Sequence, residues 1–188
     1  MKSFKPVSKE EYIKIQTNRN TSNHHEYPLS PWHDDVFNEF KKYLVSPIVD
    51  IGTRNGLLVE ILKEKGFDAY GIEITDIADF AKSKGRNVFK CDIQEKTPFE
   101  DKFFKSAVMT HTIEHCYDVE AALREIKRIL DGHILIIFPA QSVVDIKYAH
   151  FTAIESINQL SEILKNNGFE IIRTYEKGIY CQTIIAKV

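Results

Sequence analysis

The sequence feature that most constrains the fold is a glycine-bearing turn that follows a short apolar run. The run Pro47 to Ile51 predicts a buried strand, and the segment Asp50-Ile51-Gly52-Thr53-Arg54-Asn55-Gly56 continues from it into a helical pattern. Gly52 lets the backbone pass close to a ligand because glycine has no Cβ. An acidic residue, Glu73, lies at the end of the next apolar stretch, Ala69 to Ile74. This order is typical of folds that hold a nucleoside, where a carboxylate accepts hydrogen bonds from the ribose hydroxyls.

Short apolar runs alternate with amphipathic helical patterns through the middle of the chain, which predicts a parallel sheet covered on both faces. The predicted strands here are Ile48 to Ile51, Ala69 to Ile74, Val88 to Cys91, Ser106 to Thr110 and Ile134 to Pro139. Two later β-like runs, Phe169 to Tyr175 and Ile179 to Ala186, are expected to pair antiparallel because only a short turn separates them. The predicted fold class is therefore α/β: a Rossmann-like doubly wound sheet of seven strands, mostly parallel, with a C-terminal antiparallel hairpin.

The chain is expected to divide into an N-terminal helical segment, 1–46, and a main domain, 47–188. Ser8 with Glu11 predicts a capping box for a helix from Lys9 to Thr17, followed by a polar loop, and Ser30-Pro31 predicts the start of a second helix. Three residues of this segment are candidates for a lid over the site: Tyr27, Trp32 and His33. Near the other end of the chain, Thr152 with Glu155 predicts the cap of another helix.

Composition excludes several classes of protein. The chain has 188 residues and a formal net charge of −2, which weakly disfavours nucleic-acid binding. It has no apolar run of the roughly 18 residues that span a membrane, and no apolar signal core follows Met1. Its three cysteines, Cys91, Cys116 and Cys181, are widely spaced and odd in number, which indicates a reducing compartment without a disulfide framework. We therefore expect a cytoplasmic protein that is not associated with a membrane.

The chemistry of the first turn selects among nucleoside ligands. Free N–H groups at the start of the following helix favour a carboxylate or another anionic group. Asp50, just before the turn, is suited to an ammonium group and would repel a pyrophosphate. The chain also lacks the G-x-G-x-x-G pattern that a nicotinamide-dependent oxidoreductase needs. A ligand that combines a carboxylate, an ammonium group and a ribose fits these residues.

The order of the motifs resembles that of class I S-adenosylmethionine-dependent methyltransferases, especially the small type 11 branch. The first turn of that family is D-x-G-x-G-x-G, and this chain has Asp50, Gly52 and Gly56, with Arg54 at the middle glycine position. After the fourth strand, Thr110-His111-Thr112-Ile113-Glu114-His115-Cys116-Tyr117-Asp118 resembles the family's S-x-x-L-E-H-x-x-D. The resemblance covers about Pro47 to Val188.

The resemblance implies S-adenosyl-L-methionine as the cofactor. Glu73 would accept hydrogen bonds from the ribose hydroxyls, Asp92 would lie near the adenine amino group, and Ile93 would lie against the adenine ring. Thr110 and His111 would flank the methionyl part. The full set of predicted cofactor-binding residues is Asp50, Gly52, Arg54, Gly56, Glu73, Ile74, Asp92, Ile93, Thr110 and His111.

Three histidines map near the carboxyl ends of the predicted strands, and we predict them as catalytic: His111, His115 and His150. An imidazole can take a proton from an acceptor near neutral pH, so His115 or His150 is a hypothetical general base. Methyl transfer does not always need a base, because the sulfonium is a strong electrophile and alignment supplies much of the rate. These histidines together with Glu114 also suggest a metal site, but their spacing is not diagnostic and no metal is predicted.

The function predicted from the sequence is methyl transfer from S-adenosylmethionine to a small-molecule acceptor. Two alternatives remain open. The protein is a non-catalytic S-adenosylmethionine-binding module, which the Arg54 departure motivates, or it methylates a macromolecule, RNA or protein. The exposed edge of the C-terminal hairpin is a candidate contact for a homodimer.

Overall fold

The computed structural model describes residues 1–20, 38, 40–176 and 182–188. Its strands are β1 Lys2–Ser3, β2 Ile48–Ile51, β3 Ala69–Glu73, β4 Val88–Lys90, β5 Phe104–Thr110, β6 Leu130–Phe138, β7 Thr152–Ala153, β8 Glu170–Glu176 and β9 Gln182–Lys187. Its longer helices are α1 Lys9–Asn20, α2 Leu57–Glu64, α3 Ile77–Ser83, α4 Val119–Ile129 and α5 Ile157–Asn166. Short 3₁₀ turns cover Lys41–Tyr43, Ile113–His115 and Ile146–Tyr148.

Seven strands form one sheet in the order β4-β3-β2-β5-β6-β9-β8. The first five run parallel, and β9 pairs antiparallel with both β6 and β8. This confirms the predicted fold class, including the C-terminal antiparallel hairpin. Because the five parallel strands point the same way, their carboxyl ends lie along one edge, where open α/β sheets bind ligands.

Both faces of the sheet are covered, as the uninterrupted apolar strands require. Alternate residues of β2, Val49 and Ile51, pack in the larger core cluster with α4 and α5. Ile48 of the same strand packs in a second cluster with Phe40 and residues of α2. This alternation follows from the two-residue period of a strand. Within the described part of the chain, none of the helices has the length and apolar character needed to cross a membrane.

Strand β6 begins at Leu130, four residues before the predicted start at Ile134, and follows directly on α4. Gly132 allows the strand to begin this early, because a Cβ at this position would overlap the carbonyl oxygen of Lys105 in β5. The register of β6 against β5 shifts at the same place, between Phe104 and Ser106. A side chain at residue 132 would therefore separate the two strands.

The predicted cap of the C-terminal helix by Thr152 is wrong. Thr152 lies in β7, which pairs antiparallel with β1, and its hydroxyl donates to the carbonyl of Cys116 at 2.6 Å. Helix α5 begins later, at Ile157, and its N-cap is Ser156, whose side chain accepts from the Gln159 amide. Thr152 is fully buried, so its hydroxyl satisfies a distant carbonyl instead of a helix end.

The N-terminal predictions hold in part. Ser8 accepts a hydrogen bond from the Glu11 amide, but the Glu11 carboxylate accepts from Val7 and not from Ser8. Helix α1 ends at Asn20, so the predicted loop beginning at residue 18 is wrong for its first three residues. The predicted helix start at Ser30-Pro31 lies outside the described residues. The same holds for the predicted lid residues, Tyr27, Trp32 and His33.

Candidate functional site

The glycine turn after β2 is tied to the neighbouring strand β3. The backbone N–H groups of Gly52 and Thr53 both donate to the carbonyl of Ile72, at 2.8 and 3.0 Å. Gly52 has a φ of +76°, and a Cβ there would overlap the side chain of Thr112, which covers the turn. Gly56, also with positive φ, is the N-cap of α2. The absence of a Cβ at Gly52 thus lets the Thr112 side chain pack closely against the turn at the carboxyl edge of the sheet.

Arg54 occupies the middle of this turn with a φ of +56°, in the left-handed region that favours glycine. Its backbone N–H donates to Oε2 of Glu73 at 3.0 Å. The turn therefore keeps the backbone conformation that a glycine would adopt there, although an arginine stands in its place. This explains how the departure from the glycine pattern is accommodated.

Glu73, at the end of β3, is buried and held in one orientation. Its Oε1 accepts from both the N–H and the hydroxyl of Thr75 at 2.8 Å, and its Oε2 accepts from Arg54. A carboxylate offers about four lone-pair sites. Described residues use three of them, and among these residues one site on Oε2 is left for a ligand hydroxyl.

Asp50 lies in β2, one residue before the strand ends, and only 4% of it is exposed. The pKa of Asp50 is raised to about 7, mainly by burial; a hydrogen bond from Thr53 lowers the pKa and the negative charge of nearby Glu73 raises it. A cationic group next to Asp50 would favour its charged form. The site therefore contains a carboxylate whose charge is costly unless a cation lies beside it.

Asp92 follows β4 and is also buried. Its Oδ1 accepts from the backbone N–H and the side-chain amide of Gln94, at 2.9 and 3.2 Å. Its Oδ2 is buried and has no hydrogen-bond partner among the residues that the structure describes. Burial is also the main cause that raises the pKa of Asp92. An unsatisfied buried acceptor of this kind is costly, and a donor from a ligand would satisfy it.

The structure brings these three carboxylates to the ends of three neighbouring strands, β2, β3 and β4. Three of the other predicted cofactor-binding residues lie around them. Ile74 packs with the Tyr12 and Phe151 cluster, Ile93 is buried in the main core, and Thr110 ends β5. The predicted cofactor-binding residues therefore lie along one edge of the sheet.

The three predicted catalytic histidines gather beyond the ends of β5 and β6. His111 follows β5 with a φ of +49°, and its backbone N–H donates to the carbonyl oxygen of Ile137 in β6. His111 Nδ1 and His115 Nε2 lie 3.6 and 3.8 Å from the same oxygen, Oε1 of Glu114. Glu114 is only 1% exposed. Burial raises its pKa, but the bond to His111 and the charge of His115 outweigh burial and lower the pKa below its ordinary value.

His115 and His150 are side by side, with ring centroids 4.9 Å apart. Nδ1 of His115 lies 2.7 Å from the carbonyl oxygen of Ala149, and Nδ1 of His150 lies 2.6 Å from Oε1 of Gln141. Because both partners are acceptors, each Nδ1 carries the proton and donates it. In the neutral ring the lone pair of each histidine is then on Nε2.

Helix α1 packs against the same region, a contact that sequence analysis missed. The hydroxyl of Tyr12 and the side-chain amide of Gln16 both donate to the carbonyl of His115, at 3.0 and 3.1 Å. The four-residue spacing places both residues on one helix face, which is visible in the sequence. Nothing in the sequence indicates which carbonyl that face contacts. Gln141, the partner of His150, was missed for the same reason.

Comparison with known proteins identifies the family. A family model described as a methyltransferase domain matches residues 23–174, most of the chain. The chain belongs to this methyltransferase-domain family. The resemblance found from the turn, the strand-end acids and the Glu114-His115 motif is thereby confirmed.

Solved methyltransferase structures share the fold along nearly the whole chain. A SAM-dependent methyltransferase from Aquifex aeolicus has a TM-score of 0.67 and 21% identity, with 94% of this chain and 98% of that one covered. Geranyl diphosphate C-methyltransferase from Streptomyces coelicolor, solved with Mg²⁺, geranyl diphosphate and S-adenosyl-L-homocysteine, has a TM-score of 0.69 and 14% identity, with 97% and 99% covered.

Among curated sequences, an uncharacterized protein of Methanocaldococcus jannaschii is 31% identical over 103 residues. That match covers 54% of this methyltransferase-domain chain and 39% of the length of the archaeal protein.

Proposed function

We propose that the protein is an S-adenosylmethionine-dependent methyltransferase that acts on a small-molecule acceptor. The observation that carries the proposal is the set of buried carboxylates at the ends of β2, β3 and β4, next to a glycine turn, in a chain of the methyltransferase-domain family. A solved structure of the same fold contains S-adenosyl-L-homocysteine, the product form of this cofactor.

Each carboxylate has a proposed partner on the cofactor. Glu73 accepts from a ribose hydroxyl through the site left on Oε2, and Asp92 accepts from the adenine amino group through Oδ2. Asp50 faces the methionyl ammonium, whose positive charge favours the ionised carboxylate. Backbone and neighbouring side chains complete the proposed cofactor site, namely those of Gly52, Arg54, Gly56, Ile74, Ile93, Thr110 and His111.

The proposed acceptor site lies beyond β5 and β6, where the histidines gather. Holding the acceptor in line with the methyl carbon supplies much of the acceleration. His115 and His150 are the proposed proton acceptors, each through Nε2, and His111 lies between them and the cofactor. A small acceptor is favoured because α1 packs over His115, and the net charge of −2 disfavours a nucleic acid.

The remaining assignments are also proposals. We assign residues 1–46 the role of a lid, supported by the contact of α1 with His115. A cytoplasmic location is supported by the free thiols of Cys91 and Cys116. A homodimer through β8 is supported by the position of this mostly exposed strand at the edge of the sheet.

The proposal is tested by titrating the full chain with S-adenosylmethionine and with S-adenosylhomocysteine in a calorimeter. We expect a dissociation constant in the micromolar range. Asp92→Ala is expected to weaken binding about tenfold or more, because the buried acceptor for the adenine amino group is removed. Asp131→Ala, an exposed aspartate near the start of β6, is the matched control and should bind as the wild type does.

Absence of binding by folded wild-type protein would reject the proposed function. Cofactor binding without methyl transfer to any member of a panel of small molecules, RNA and protein would instead favour the non-catalytic module. Transfer to RNA or protein alone would reject the small-molecule acceptor.

A further inference from the structure

We propose that Glu114, His115 and His150 bind a divalent transition-metal ion beyond the ends of β5 and β6. One possible ligand atom from each of the three side chains lies within 4.8 Å of the others. Glu114 and His115 are buried and His150 is half-buried. This revises the expectation from the sequence, where the spacing of these residues did not indicate a metal.

The hydrogen bonds of the two histidines orient them as metal ligands. Each ring donates its Nδ1 proton to a carbonyl oxygen, that of Ala149 for His115 and that of the Gln141 side chain for His150. Bonds of this kind fix the tautomer of metal-binding histidines and direct the other nitrogen to the metal. Nε2 of His115 faces the Glu114 carboxylate, 3.8 Å from Oε1.

Glu114 provides a second, independent observation. Its side chain is 1% exposed, and its Oε2 is buried without a hydrogen-bond partner in the described part of the chain. A buried carboxylate oxygen in this state is costly, because it has lost water and gained no donor. A cation between Glu114 and the two imidazoles would satisfy it.

The donor set selects the kind of metal. Two imidazoles with one carboxylate suit Zn²⁺, Mn²⁺, Fe²⁺ or Co²⁺, whereas Ca²⁺ and Mg²⁺ prefer sites made of oxygens. Ligand atoms about 2.1 Å from a metal lie about 3–3.5 Å from one another, so the ligand atoms, now within 4.8 Å of one another, need to approach by up to roughly 1.5 Å. Three protein ligands leave coordination positions open, as in catalytic metal sites.

The binding of the metal does not depend on the proposed function, but its role does. If the protein is a methyltransferase, the open positions face the proposed acceptor site and would hold an oxygen or nitrogen of the acceptor. His115 and His150 would then bind the metal through Nε2 and would not take a proton. The two assignments are exclusive, and metal titration separates them.

The test is calorimetric titration of the chelator-treated full chain with Zn²⁺, Mn²⁺, Co²⁺ and Mg²⁺, with the visible absorption of bound Co²⁺ as a second readout. We expect one transition-metal ion per chain and weaker Mg²⁺ binding. Glu114→Gln and His150→Asn should each weaken Co²⁺ binding about 100-fold and change its spectrum, because each removes a ligand. The matched control is His133→Asn, since the His133 ring packs at a tilt against Tyr43, and this variant should bind as the wild type does.

A further variant tests the proposal without replacing a ligand, in case the ligand variants do not fold. Gln141→Leu keeps all three ligands but removes the bond that orients His150, and is expected to weaken binding about tenfold. Wild-type protein that binds no transition metal, or binds it equally well after His150→Asn, would overturn the proposal.

Cofactor titration of the same samples distinguishes the two proposals. Cofactor binding by protein that binds no metal rejects only the metal site. Metal binding by protein that binds no cofactor rejects only the proposed function.

Discussion

The two halves of the carboxyl edge of the sheet are held together by different kinds of contact. In the half that we propose binds the cofactor (the cofactor half), at the ends of β2, β3 and β4, the carboxylates are oriented by close neighbours in sequence. Glu73 bonds to Thr75 and Asp92 bonds to Gln94, each two residues away. Of these contacts, the one with the largest separation along the sequence joins Glu73 to Arg54, 19 residues earlier.

In the half that we propose binds the acceptor (the acceptor half), beyond the ends of β5 and β6, the contacts join distant parts of the chain. His115 bonds to Ala149, 34 residues later, and Thr152 bonds to Cys116, 36 residues earlier. Tyr12 reaches His115 across 103 residues. The cofactor half is therefore a set of local motifs on adjacent strands, whereas the acceptor half forms only when three separate segments have packed.

The largest effect is expected from Glu73→Gln in the cofactor half. The carboxylate now accepts hydrogen bonds from the backbone N–H groups of Arg54 and Thr75. In the variant, the NH₂ of the amide would face one of these donors. We expect cofactor affinity to fall about 100-fold, because both the ribose acceptor and the shape of the turn are lost. Calorimetric titration with S-adenosylhomocysteine measures this.

Glu64→Gln, at the exposed end of α2, is the matched control for this change and should leave affinity unaltered. If Glu73→Gln bound the cofactor as tightly as the wild type, the cofactor half would have to be located elsewhere on the edge.

Asp50→Asn is expected to have a smaller effect than Glu73→Gln, and it should stabilise the folded protein. The pKa of Asp50 is about 7 in the fold, against about 3.9 in an unfolded chain. Between these values the folded protein binds more protons than the unfolded chain, so the free energy of unfolding falls as the pH rises. The asparagine variant does not lose stability in this way. Its free energy of unfolding, relative to that of the wild type, should therefore rise by about 2–3 kcal/mol from pH 5 to pH 8.

Thermal melting of the two proteins without cofactor, at pH 5 and at pH 8, measures the difference. A difference that stays constant or shrinks toward pH 8 would contradict the raised pKa. The same variant should bind S-adenosylmethionine more weakly, since the proposed ammonium contact is lost. A buried charge that lowers stability is what a site prepared for a cationic ligand requires.

The contrast between the halves also explains what the sequence could predict. The alternation of strands and helices, and the placement of Asp50, Glu73 and Asp92 at the ends of successive strands, follow from alternating apolar runs and local acid positions. The Arg54 departure from the glycine pattern was visible, but a sequence does not reveal that this residue keeps a left-handed φ of +56°. Local pattern gives the position of a residue better than its conformation.

The acceptor half could be predicted only in part. The motif around Glu114 and His115 was visible in the sequence, and His150 was placed near the same edge. The pairing of β1 with β7 was not visible, because strands of two residues leave almost no pattern. Thr152 followed by Glu155 matched a helix cap, and the long-range bond to Cys116 overrode that local preference. Contacts of this kind depend on packing that a single sequence does not encode in any short window.

The smallest effect is expected from Thr152→Val, which tests whether single side-chain bonds between distant segments stabilise the acceptor half. Valine keeps the shape of threonine but removes the hydroxyl that donates to the Cys116 carbonyl. We expect a loss of about 1–2 kcal/mol, a fall in Tm of about 3–6 °C, and cofactor affinity within about twofold of wild type. Thr174→Val, on exposed β8, is the matched control and should change stability by less than about 0.5 kcal/mol. A Thr152→Val protein that melts like this control would show that the hydroxyl adds no measurable stability to the other hydrogen bonds that join the two segments, and the distinction between local and long-range construction would weaken accordingly.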